Sequence, residues 1–156
     1  MSKHSSGVLD SVYQQVVLEH NRKPVGFGHN TDAPYQVTVD NPTCGDRICV
    51  HLHVDHVTGQ ILKIGFSEES CAICTASASL MCQQVHAHTL DEAVSFAGQF
   101  NEFIEQAHSV EWLPDVLQPL DVFAQLQQIP MRKNCATLPW NALIELAQSI
   151  TENHKE

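Results

Sequence analysis

Between Tyr35 and Phe66, apolar and polar residues alternate in three short segments, and this period of two restricts the fold more than any other feature of the chain. Successive side chains of an extended strand point to opposite faces, so alternation marks a strand with one face buried. The clearest segment is Arg47 to Asp55, where Ile48, Val50, Leu52 and Val54 would face one way and Cys49, His51, His53 and Asp55 the other. Tyr35 to Asp40 reads as a shorter strand. Ile61 to Phe66 reads as a third, with Ile61, Lys63 and Gly65 opposed to Leu62, Ile64 and Phe66, and Val57-Thr58-Gly59 supplies the turn before it. Short turns join antiparallel neighbours, and a sheet with one apolar face needs helices to cover it. The pattern predicts an α+β fold: a three-stranded antiparallel sheet with helices packed on one face, in a single domain over 1–156 with 150–156 as a frayed tail.

The flanking segments change period. Leu9, Val12, Tyr13, Val16 and Val17 recur at helical spacing over residues 7 to about 20, and Asn21-Arg22-Lys23-Pro24 ends that helix. Ala72 to about His86 is rich in alanine, leucine and methionine and predicts a closely packed helix with Cys71 at its N-terminus. Thr89-Leu90-Asp91-Glu92 matches a capping box for a helix running to about His108. A short helix follows near Asp121 to Gln127. Ala136 to about Glu152 reads as the last helix, with Pro139 in its first turn and Trp140, Leu143, Ile144, Ala147 and Ile150 toward the core.

Charge and cysteine usage narrow the function. Lys and Arg number 8 against 18 Asp and Glu, a formal charge of −10, which argues against a broad phosphate-binding surface and hence against nucleic acid as partner. A basic patch on a partner protein suits this charge better. No apolar run approaches the roughly 20 residues of a membrane-spanning helix. The N-terminal Met1-Ser2-Lys3-His4-Ser5-Ser6-Gly7 has no apolar core behind its lysine, so the expectation is a cytoplasmic protein without a signal peptide. In a reducing compartment the 6 cysteines read as metal ligands, nucleophiles or core residues rather than as a disulfide framework.

Three of the six have a chemical context. Cys44 lies in Asn41-Pro42-Thr43-Cys44-Gly45-Asp46-Arg47, beside a glycine and close to a carboxylate. Cys71 stands at a strand-to-helix junction, where helix N–H groups favour a thiolate. Cys135 is read as lying just before a helix and follows Arg132 and Lys133. Three thiols at element edges and the Asp46 carboxylate make a four-ligand set, and thiolates select zinc or iron–sulfur chemistry. The spacing alone leaves open whether these residues form a metal or sulfur site at all, because no paired CxxC motifs are present. Cys74 completes a single CxxC with Cys71 and reads as a small buried side chain, with a second ligand or a redox partner as the alternative. Cys49 and Cys82 read as packing residues, the histidines as surface or partly buried groups, and Glu68 and Glu69 as a solvated loop.

At these residues the chain resembles the SufU/IscU family, the NifU N-terminal-like iron–sulfur assembly proteins. The likeness runs nearly end to end: Tyr13 to Pro24 resembles the family's opening helix and its exit, Asn41 to Asp46 the first ligand motif, Cys71-Ala72-Ile73 with Ala76 to Met81 the second, and Cys135-Ala136-Thr137-Leu138 with Trp140 the third. Asn134 stands where the IscU branch carries a histidine, and the stretch from Cys71 to Cys135 is long, so the resemblance is to the SufU branch. It implies a metal site of Cys44, Asp46, Cys71 and Cys135, holding zinc in SufU-like members or a transient 2Fe–2S cluster in IscU-like ones. It further implies sulfane sulfur received from a SufS-type cysteine desulfurase, with Cys44 as acceptor and Arg132 as a basic group beside the site. A downstream iron–sulfur acceptor or scaffold would follow. The chain departs from the family pattern at Glu68 and Ser70, where glycines are usual, and at Cys74, where serine is usual.

Overall fold

The structure is a computed structural model. It describes the backbone of residues 2–29, 31–41, 45–67 and 70–155, and the side chains in those ranges except for residues 2–10 and 153–155. The predicted strands form β1 (Tyr35–Asn41), β2 (Asp46–Val54) and β3 (Ile61–Ser67), an antiparallel meander in the order β1-β2-β3. Val37 pairs with Val50 and Val39 with Ile48, while Val50 and Leu52 pair on the other side with Phe66 and Ile64. These positions share one face, and Ile48, Val50, Leu52, Val54, Ile64 and Phe66 are all buried there.

Strict alternation fails in β3. A register shift between His53 and Val54 pairs His53 with Lys63 but Val54 with Ile61. One extra residue, Leu62, is accommodated opposite that step, so the parity of the strand changes. Ile61 joins Ile64 and Phe66 on the core face and Leu62 is left exposed, a correction to the assignment of Ile61 with Lys63 and Gly65. The outer edge of β3 is covered by the loop after the first helix. Gly28 N–H donates to the Phe66 carbonyl at 2.8 Å, and Phe66 N–H donates to the Gly26 carbonyl at 3.0 Å. The loop then passes over Gly65, where a Cβ would stand 2.3 Å from the His29 carbonyl oxygen.

Among the described residues four α-helices complete the fold: α1 (Ser2–Arg22), α2 (Ala72–Val85), α3 (Leu90–Glu105) and α4 (Pro130–Lys155), with 3-10 turns over Val110–Trp112 and Asp115–Gln128. α4 lies against β1 and β2, and α2 is enclosed by α1, α4 and the longer 3-10 segment. The small residues of α2 allow this close approach. Its buried hydroxyls are satisfied: Ser77 donates to the Ala136 carbonyl, and Ser79 Oγ accepts from Val25 N–H and meets His20 Nδ1, both at 2.7 Å. α3 starts with the expected capping box, Thr89 Oγ1 accepting from Glu92 N–H at 3.1 Å and Glu92 Oε1 from Thr89 N–H at 2.9 Å.

α4 begins six residues before the expected Ala136. Pro130 occupies its first helical position, where the missing N–H costs nothing and the fixed φ suits the helix. Pro139 is therefore inside the helix rather than in its first turn, and it has no N–H to give to the Cys135 carbonyl. Among the described residues no helix is long and apolar enough to cross a membrane.

Candidate metal and sulfur centre

Three elements converge on one point. Asp46 opens β2, Cys71 caps α2 and Cys135 lies in the second turn of α4, so the expected position of Cys135 ahead of the helix is corrected. One ligand atom from each, a carboxylate oxygen and two sulfurs, all lie within 4.8 Å of one another. Asp46 and Cys135 are buried, and Cys71 is partly exposed.

Local structure explains each placement. The chain leaves β1 at Asn41 and re-enters the sheet at Asp46, its register partner. Gly45 makes this return possible with φ +75°, a left-handed conformation that residues bearing a Cβ rarely adopt, and its N–H donates to the Asn41 carbonyl at 2.8 Å. Cys71 has the extended backbone of an N-cap, and its Sγ accepts from Cys74 N–H at 3.4 Å. Its own N–H donates to Asp46 Oδ1 at 2.7 Å, which ties the strand to the helix cap. Cys135 Sγ lies 3.9 Å from the Met131 carbonyl one turn back.

The electrostatics differ from the expectation of a thiolate at Cys71. Burial pushes its pKa up, outweighing the hydrogen bonds from Cys74 N–H, the Cys135 side chain and Ile73 N–H that lower it, and the Asp46 charge adds to the rise. Helix-cap donors alone therefore do not ionise this thiol. A bound cation reverses that balance, because a coordinating thiol is deprotonated outright. The donors present fit such an ion. Tetrahedral zinc–ligand bonds of about 2.0–2.3 Å put neighbouring ligand atoms roughly 3.3–3.8 Å apart, a small contraction of the observed cluster. Two sulfurs and a carboxylate also suit iron. Cys44, the chain neighbour of Gly45, lies outside the described residues, as do Glu68 and Glu69.

Arg132 is exposed on the first turn of α4. Its charge reaches Tyr13, whose pKa burial raises, Arg132 lowers, and Cys71 and Cys135 raise further. Tyr13 of α1 thus belongs to the surroundings of the centre, packed edge-on against Phe123 with ring centroids 6.2 Å apart. Helical spacing places Tyr13 only in an opening helix, since its position relative to the centre depends on how α1 packs on α2. A groove of about 320 Å³ runs beside it, lined by Tyr13, Gln14, Val17, Leu18, Asn21 and Ala72.

Cys49, Cys74 and Cys82 are buried core residues; Cys74 adjoins the centre through its N–H to Cys71 Sγ, and burial pushes the Cys82 thiol up to about 12. His51 is corrected from a surface or partly buried group to a buried one, with Nδ1 3.2 Å from the His29 carbonyl oxygen and Nε2 2.9 Å from Ser67 Oγ. No histidine joins the Asp46–Cys71–Cys135 cluster among the described residues. A concavity of about 710 Å³ between Pro24–Gly26, Leu62–Ile64 and the end of α2 is lined by none of the three cluster residues.

Fold and site together define an α+β domain with a carboxylate–thiol cluster able to hold a metal ion. The chain belongs to the NifU-like N terminal domain family, whose model matches residues 12–107. It is 32% identical over 136 residues to the zinc-dependent sulfurtransferase SufU of Bacillus subtilis (strain 168), covering 86% of this chain and 88% of that protein. It is 33% identical over 137 residues to the iron-sulfur cluster assembly scaffold protein IscU of Streptococcus pyogenes serotype M1, covering 88% and 83%. The fold matches the solved structure of a nitrogen-fixing NifU-like protein (N-terminal) from Brucella abortus with a TM-score of 0.80, over 92% of this chain and 96% of that one at 20% identity. The chain is thus a member of the SufU/IscU group of iron–sulfur cluster assembly proteins.

Proposed function

We propose that the protein is a SufU-like, zinc-dependent acceptor and carrier of persulfide sulfur, working with a SufS-type cysteine desulfurase in the cytoplasm and handing sulfur to a downstream iron–sulfur acceptor or scaffold. The observation that carries this reading is the convergence of Asp46, Cys71 and Cys135 within 4.8 Å. Cys44 is the fourth member of the set. These four residues would hold zinc, which when bound would supply the positive charge that keeps the thiols ionised. Cys44 then acts as the acceptor: its thiolate attacks the terminal sulfur of the desulfurase persulfide, a new S–S bond forms, and the desulfurase cysteine leaves as a thiolate. Such exchange is governed by thiolate fraction and access. Arg132, exposed at the start of α4, supplies positive charge beside the negative charge that develops during transfer. In a Cys44→Ala variant, transfer of sulfur from a desulfurase supplied with cysteine falls to background, read as loss of the added-sulfur species in the intact mass. A variant that loads at the full rate contradicts the role of Cys44 and passes it to Cys135.

A second reading, a scaffold for a transient 2Fe–2S cluster, is favoured by the relative named IscU at 33% identity and by a donor set that also suits iron. Asn134 before Cys135, where the IscU branch has a histidine, weighs against it. A third, a zinc-stabilised interaction module without sulfur transfer, predicts that chelation unfolds the chain while a desulfurase does not respond to it.

A further inference from the structure

Cys74 is the one cysteine near the centre that the acceptor chemistry leaves unused. It is fully buried, at 0% exposure, while Cys71 is partly exposed. The two occupy the N-cap and third positions of α2, and Cys74 N–H donates to Cys71 Sγ. A helix radius of about 2.3 Å and a rise of about 1.5 Å per residue put Cα atoms three residues apart about 5 Å from each other, within the Cα range of a disulfide. An accessible N-cap thiol backed by a buried thiol one turn later is an arrangement in which the first reacts with an outside partner and the second reacts only with the first.

We propose that Cys74 is a resolving thiol that converts sulfane sulfur carried on Cys71 into free sulfide. The proposal rests on the sulfur-acceptor reading. Cys71 takes the outer sulfur of a donor persulfide by the same exchange, and the donor leaves as a thiolate. The Cys74 thiolate then attacks the inner sulfur, Sγ of Cys71. The Cys71–Cys74 disulfide forms, the bond to the outer sulfur breaks, and that sulfur leaves as HS⁻. Two thiol sulfurs are oxidised by one electron each, and the sulfane sulfur is reduced by two to the oxidation state found in a cluster. A dithiol reductant restores the Cys71–Cys74 pair for the next cycle.

The test uses the reduced full-length chain under anaerobic conditions with glutathione persulfide as donor. Wild type is expected to release one sulfide per chain and to lose two hydrogens in mass, with a Cys71–Cys74 link in its peptide map. Cys74→Ala should take up sulfur but retain it, releasing sulfide slower by about tenfold or more. If the alanine variant does not fold by circular dichroism, Cys74→Ser supplies the comparison, and the linkage in wild type decides in either case. Sulfur retained on wild type as on the variant, or a link between Cys71 and Cys135, overturns the proposal alone. Failure of both proteins to take up sulfur overturns the acceptor reading and this inference with it.

Discussion

The Asp46 carboxylate does two things at once: it accepts the Cys71 N–H at 2.7 Å and it brings an oxygen within 4.8 Å of both sulfurs. Replacing it removes a ligand and the tie between β2 and the α2 cap together. Outer partners of metal ligands cost about 10–100-fold in affinity when lost, so Asp46→Ala should weaken zinc binding by at least the upper end of that range. Competition with a chromophoric chelator measures it, and an affinity within about twofold of wild type would remove Asp46 from the site. Asp46, Cys71 and Cys135 were legible in the sequence because chemically able residue types stood at the edges of predicted elements. Tyr13 and His51 were not. Each owes its setting to tertiary contacts, Tyr13 to its edge-on packing against Phe123 and His51 to the His29 carbonyl and Ser67, and no local pattern records these.

Among the elements, the sheet was the most legible part and α4 the least. Alternation locates β2 to within a residue, but it carries no mark of the step that shifts Ile61 onto the core face, since the register partner decides it. In α4 two prolines compete for the first turn. Local propensity permits either, and burial decides: Cys135 and Ala136 are already part of the packed interface with α2, so the helix has to begin at Pro130. The contact of α1 with α2 yields a pH prediction. His20 meets Ser79 Oγ at 2.7 Å, and burial lowers its pKa against the raising influence of Glu19. A histidine with a depressed folded pKa contributes stability above its unfolded pKa of about 6.5, and that contribution is lost as the pH falls through the folded value. The Tm advantage of wild type over His20→Asn should therefore shrink between about pH 7 and about pH 5. An advantage constant over that interval would mean that the neutral ring is not what α1 and α2 require.

Across the whole molecule, strand, helix cap and helix interior come from distant parts of the chain and meet at one place, while the concavity of about 710 Å³ lies elsewhere. The family match over residues 12–107 contains Asp46 and Cys71, whereas Cys135 arrives on α4 after the long 3-10 segment. The cluster is therefore completed only when both ends of the fold are in place, so a metal ion held there would couple its binding to folding. The most direct test of this account is the metal and acid-labile sulfide content of protein purified anaerobically, with its visible spectrum. The sulfur-acceptor reading predicts about one zinc per chain, no sulfide and no colour. Iron with matching sulfide and charge-transfer bands would contradict it and make the scaffold the working form of the protein.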